Sequence, residues 1–278
     1  SFRFRNMQCI LSALKVESEP LIDHYRLSRD HSFSFPFFIR DDLCLIGVGV
    51  GKHNIKNRIL SFISKFRSET IQFINIGIAG GNRETSEKGQ IYLINQIIDN
   101  ETGRSFYPDI LIKHDLPEHS ITTTERVILD GGRDYRNLVD MESSEIFDVC
   151  SKNTSIHKIA ILKIVSDYLD LDTAKLTKDR VRYFISSNLE AIDSFLSKFR
   201  SLENLDKPIL SKEDCIWIDS ISNQLSLTKT QYQQLLHFSK GFRVRDSKSN
   251  YPSLYVDPPE SKYDRNKIFR SLCEELTS

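Results

Sequence analysis

Three short apolar runs constrain the fold most: "MQCILSAL" (residues 7–14), "TIQFINIGIAGG" (70–81) and "HKIAILKIVSD" (157–167). None reaches the roughly 18 consecutive apolar residues that a membrane-spanning helix needs. Runs of this length and character read as buried strands, and a strand buried on both faces needs covering elements above and below its sheet. The intervening segments supply helices. "ESEPLIDHYRL" (17–27) is one, with Pro20 expected in its first turn. "NIKNRILSFISKF" (54–66) carries Ile55, Ile59, Leu60, Phe62 and Ile63 close to helical spacing. "VDMESSEIFDVC" (139–150) opens another, and "KDRVRYFISSNLEAIDSFLSKF" (178–199) reads as one long amphipathic helix.

Further strands are expected in "GQIYLINQIID" (89–99) and "ITTTERVI" (121–128), and "FSFPFFIR" and "LCLIGVGVG" flank Asp41–Asp42 as a hairpin. Strands alternating with helices make the class α/β. After Leu205 the chain becomes more polar, with short helices, a strand-like "FRVR" (242–245), a Pro-containing loop and a last helix near Arg265 to Leu276. The division expected is therefore a domain over 1–204 and a C-terminal extension over 205–278.

Composition narrows the function. Lys plus Arg and Asp plus Glu are 38 each, so no bulk charge draws nucleic acid or an anionic membrane. Arg243 and Arg245 alternate with apolar residues and read as a solvated strand face, not a nucleic-acid patch. The five cysteines lack CxxC spacing, which argues against a zinc site or disulfide framework and suits a reducing cytoplasm. The opening "SFRFRNMQCILSAL" meets charged Lys15 and Glu17 at once and lacks a small-residue cleavage site, so a first strand is expected there and not a signal peptide.

Four strand or helix ends carry polar groups that converge at one edge of an α/β sheet, where such sheets bind ligands. They are Glu17, the glycine-rich Gly77 to Gly81, Met141–Glu142, and Ser166–Asp167. Each also has a bland reading. Glu17 suits a solvated first turn, the glycines a tight link, Asp140 and Glu142 a helix N-terminus, and Asp167 or Ser166 an N-cap.

The order "SALKVE … GVGVGK … INIGIAGG … GQIYL … VDMESSEI … KIVSDYLD", spanning roughly residues 7 to 200, resembles the nucleoside phosphorylase superfamily. Within it, the likeness is to the nucleosidase branch typified by 5′-methylthioadenosine/S-adenosylhomocysteine nucleosidase. The resemblance implies a three-layer αβα domain with a central mixed, twisted, partly barrel-like sheet. It implies hydrolysis of the N-glycosidic bond of a purine nucleoside, with Glu17 activating water and Asp167, supported by Ser166, protonating the base. Glu142 would bind the ribose hydroxyls and Met141 would pack under the sugar. Gly77, Ile78, Ala79 and Gly80 would lie against the ligand, Val127 and Ile128 would face the base, and Phe106 the 5′-substituent. It implies a homodimer and no metal or organic cofactor. Ile78 departs from the pattern, since many relatives carry a hydroxyl there, and no Arg pair stands near the glycines. Both departures disfavour a phosphate-dependent phosphorylase. A nucleoside-sensing or scaffold protein, acting on a protein partner through residues 205–278, is the alternative from another class.

Overall fold

The computed structural model describes residues 7–66, 71–170, 176–202, 210–246, 249–252, 259 and 261–277. The chain divides into two compact units, residues 1–201 and 202–278. The first unit runs β1 (Met7–Ser12), α1 (Lys15–Tyr25), β2 (Ser28–Arg29), β3 (Phe37–Arg40), β4 (Leu43–Gly47), α2 (Lys52–Lys65), β5 (Ile71–Gly80), β6 (Ile91–Asp99) and β7 (Ser105–Phe106). It continues through β8 (Glu118–Thr123), β9 (Leu138–Asp140), α3 (Ser143–Ser151), β10 (Ile159–Asp167), α4 (Lys178–Ser187) and α5 (Leu189–Arg200).

The sheet order is β10-β6-β8-β9-β5-β1-β4-β3-β2, and β10 also pairs with β5. That last pairing closes β5, β10, β6, β8 and β9 into a barrel-like ring. β1 lies parallel to β4 and β5, and β5 parallel to β10. β9 and β6 run antiparallel to β5 and β10 respectively, so the sheet is mixed. On β1 the alternate residues Cys9 and Leu11 and the intervening Ile10 are all fully buried, as a sheet covered on both faces requires. Cys9 and Leu11 share a core with Ile55, Ile59 and Phe62 of α2 and Ile146 and Phe147 of α3. The expected α/β fold with a mixed, partly closed sheet is what forms.

Four local expectations are corrected. Pro20 lies sixth in α1, inside the helix. The helix starts at Lys15 because the Glu17 carboxylate reaches back to accept from Leu14 N at 2.9 Å. The long helix over 178–199 breaks at Asn188 (φ −107°, ψ 7°), whose amide donates to Phe184 O and Gly89 O and competes with the helical ladder. The strand expected over "ITTTERVI" stops at Thr123, because Thr124 N turns to donate to Asp140 O at 2.8 Å. "FRVR" is not a strand: it is the last turn of a 17-residue helix.

That helix belongs to the second unit, which contains α6 (Lys212–Gln224), α7 (Lys229–Arg245) and α8 (Lys262–Thr277). Ile218, Ile221, Leu225, Leu235, Leu272 and Leu276 form its own core. Arg243 pairs with the buried Asp214 at 2.7 Å and stacks on Tyr251, so this arginine is a packing element of the unit. No helix among the described residues is long and apolar enough to cross a membrane.

Candidate active site

Ten of the twelve residues expected at a site line one cavity of about 170 Å³: Glu17, Ile78, Ala79, Gly80, Val127, Ile128, Met141, Glu142, Ser166 and Asp167. They arrive from the carboxyl ends of β1, β5, β9 and β10 and from the segment after β8.

Glu17 is not the solvated carboxylate of a first helical turn: it is only 3% exposed. Its Oε2 accepts from Leu14 N at 2.9 Å and weakly from Ser12 Oγ at 3.4 Å, and its Oε1 accepts from Ile78 N at 2.9 Å. Burial raises its pKa above the ordinary carboxylate value, while Lys163 and these donors oppose the rise. The result is a fixed carboxylate that is a stronger base than a solvated one. Gly77 does not line the cavity. It makes room for Glu17, since a Cβ there would stand 2.8 Å from Oε1.

Asp167 ends β10 and is 4% exposed. Ser166 Oγ reaches its Oδ2 at 2.6 Å, Leu169 N donates to its Oδ1 at 2.9 Å, and its carbonyl accepts from Gly81 N at 2.8 Å. Neither Ser166 nor Asp167 caps a helix. Leu169 holds its N–H in place with a left-handed backbone, φ 59°. Its side chain occupies the space that a Cβ at Gly80 or Gly132 would need, at 2.1 and 2.5 Å. Those two glycines are required because a branched side chain fills their Cβ positions. Glu17 and Asp167 are thus both tied to the end of β5, at Ile78 and at Gly81. Two residues lie between these anchors, which stand roughly 10 Å apart along the chain.

The carboxylates around Met141 divide their work. Asp140 accepts from Thr123 Oγ1 at 2.8 Å and Ser143 N at 3.0 Å, so it secures the first turn of α3. It also pairs with Lys163 at 2.9 Å, and both side chains are almost fully buried. Glu142 is the N-cap residue of α3 but makes no side-chain capping bond, which leaves its carboxyl to the cavity. Burial, then the neighbouring Asp140, push its pKa up to about 7, with Lys163 opposing.

Phe106 does not line this cavity. Its two-residue strand pairs with β6, and its ring packs on Phe147 under the guanidinium of Arg104. Two residues were not expected at the site. Lys163 is 2% exposed, and its charge is held by Asp140, Glu142 and Glu17 together. Its only sequence signal is a lone lysine inside an unbroken apolar strand. Arg126 lines the cavity beside Val127. Among the described residues, no group of three or more His, Cys, Asp or Glu is arranged to hold a metal ion.

No protein-family model and no curated protein sequence matches the chain. Solved structures do. The 5′-methylthioadenosine/S-adenosylhomocysteine nucleosidase of Helicobacter pylori, bound to butyl-thio-DADMe-Immucillin-A, superimposes with a TM-score of 0.60 at 15% identity over 70% of this chain and 99% of its own. The Streptococcus pneumoniae nucleosidase in complex with 8-aminoadenine gives 0.59 at 15% identity, over 69% and 99%. The Arabidopsis thaliana 5′-methylthioadenosine nucleosidase gives 0.55 at 14%, over 70% and 97%. The chain has their fold. Almost the whole of each nucleosidase is matched, so the architecture around the cavity is shared and not a fragment of it. At these identities the likeness stops at the fold, and the chemistry rests on this chain's own side chains.

Proposed function

We propose that this protein is a hydrolase that cleaves the N-glycosidic bond of a purine nucleoside, with a 5′-thio-substituted adenosine as the substrate class. The observation that carries the reading is that Glu17 and Asp167 are tied to the end of β5, at Ile78 and Gly81, and both line the cavity that Met141 and Glu142 line from the link between β9 and α3. The bond to be broken develops positive charge on the ribose and negative charge on the departing base. Asp167 delivers a proton to the base, with Ser166 and Leu169 N fixing its two oxygens, and Glu17 takes a proton from the attacking water on the other side of the sugar. Each step contributes typically ~10²–10⁴-fold. Glu142 binds the ribose hydroxyls, and Met141, 38% exposed, forms the apolar floor. Lys163 keeps three carboxylates within one small volume without mutual expulsion.

Water is the nucleophile in this reading because Ile78 offers no hydroxyl and Glu17 would repel a phosphate dianion. At 4 Å and an effective dielectric near 20 that repulsion is about 4 kcal/mol per charge pair. The reading includes a cytoplasmic homodimer, supported by the exposed apolar side chains Leu14, Val127 and Met141 on the cavity lining, which a second copy would cover. It also includes a catalytic part over 1–204 and a partner-binding or packing role for 205–278. A nucleoside panel scored for free base, with and without phosphate, tests the reaction. Release of purine and free sugar without phosphate is expected. Strict phosphate dependence would make it a phosphorylase, and tight nucleoside binding without any base release would favour the sensor. Light scattering of the purified chain tests the dimer.

A further inference from the structure

Four acids line the cavity, Glu17, Asp140, Glu142 and Asp167, and Asp140 is matched by Lys163. Arg126 is the one cationic residue on the described cavity lining. The acids closest to it in sequence are engaged elsewhere. Glu125 pairs with Lys52 at 3.0 Å, and Asp130 Oδ1 accepts from Gly132 N at 3.0 Å. The root of Arg126 is fixed: its carbonyl accepts from Thr124 Oγ1 at 2.9 Å, and Thr124 N donates to Asp140 O at 2.8 Å. Those bonds tie the backbone at Arg126 to Asp140, two residues before Glu142, which the reading places at the sugar.

A guanidinium at this place works against the proposed reaction on a neutral nucleoside, because the ribose becomes positively charged in the transition state. An anion carried by the substrate removes that conflict and gains a forked, charge-assisted contact. A purine base is neutral, and the 2′ and 3′ hydroxyls face Glu142, so the anion belongs on the 5′ side. We propose that Arg126 is a specificity-determining residue that selects nucleosides with a net negative 5′-substituent, a phosphate ester or a carboxylate chain, over uncharged ones. This rests on the nucleoside reading of the cavity.

Calorimetry with wild-type protein and Arg126→Gln, using adenosine, adenosine 5′-monophosphate and 5′-carboxyethylthioadenosine, tests it without requiring turnover. The wild type should prefer at least one anionic ligand over adenosine, and the pair of anions shows whether phosphate or carboxylate is read. In Arg126→Gln that preference should fall roughly 10- to 100-fold, the worth of one hydrogen-bonded contact to a charged group. Arg126→Lys should recover part of it, since it keeps the charge and loses the fork. A wild type that favours adenosine, or a preference unchanged in Arg126→Gln, overturns the proposal. Release of adenine from the preferred anionic ligand and from 5′-methylthioadenosine by the same wild-type preparation reports separately on the reaction. Its absence, with the anion preference intact, would sink the hydrolase reading and leave the role of Arg126 standing.

Discussion

Replacing Glu142 with glutamine should make the protein more stable and less active at once. In the unfolded chain this carboxyl releases its proton near 4.5, and in the fold it does so only at about 7. Between those values the folded state holds a proton that the unfolded state has lost, so stability falls as pH rises, and the loss is complete above pH 7. At about 1.4 kcal/mol per pH unit, the difference is about 3 kcal/mol at pH 8. Glutamine has no charge to bury, so Glu142→Gln should gain up to that amount over the wild type at pH 8 and nothing at pH 4. Urea denaturation at both pH values, followed by circular dichroism, measures it. Fluorescence is unsuitable because the single tryptophan, Trp217, lies in the second unit and reports on that unit. Turnover should fall in the same variant, since the amide loses the charged part of the ribose contact, roughly 1.5–3 kcal/mol. A variant no more stable than wild type at pH 8, or equally stabilised at pH 4, would refute the burial argument. Unchanged turnover would refute the ribose assignment.

Asp167→Asn should lower the rate by a factor on the order of 10² or more while nucleoside binding persists, because an amide cannot protonate the leaving base; single-turnover kinetics beside calorimetry separate the two. Lys163→Met should destabilise the fold by about 3–5 kcal/mol, since it strands Asp140 as a buried charge. Urea titration measures that, and Asp140→Asn in the same chain should restore part of the loss. Gly80→Ala should cost about 1–3 kcal/mol, read by denaturation, because its Cβ would stand 2.1 Å from Leu169 Cδ2. Displacing Leu169 also disturbs the N–H on Asp167, so kcat should drop with it.

Strands and their ends were the legible part of the sequence. β1, β5 and β10 are predominantly apolar, and the polar residues that finish or follow them had to collect at one sheet edge once the strands ran parallel. Glu17, Asp167 and the glycines follow from that logic without any side-chain contact. Phe106 was not recoverable in the same way: its position depends on a two-residue strand, β7, whose pairing with β6 comes from tertiary contact and leaves no periodic signal. The break at Asn188 was hidden because both halves of the helix share one amphipathic stripe, and only the amide bonds to Phe184 and Gly89 carbonyls reveal the end. Lys163 is the instructive omission. A lysine in a strand ordinarily marks a solvated face, but Ile161 and Val165 on its own face and Leu162 and Ile164 on the other are all fully buried, so neither face of β10 is wet there. A buried ammonium must find anions. It finds them in Asp140, Glu142 and Glu17, so the start of α1, the link from β9 to α3 and the middle of β10 meet at one point. The charge pairing therefore carries the same information as the glycine-rich strand end, reached from electrostatics and not from shape.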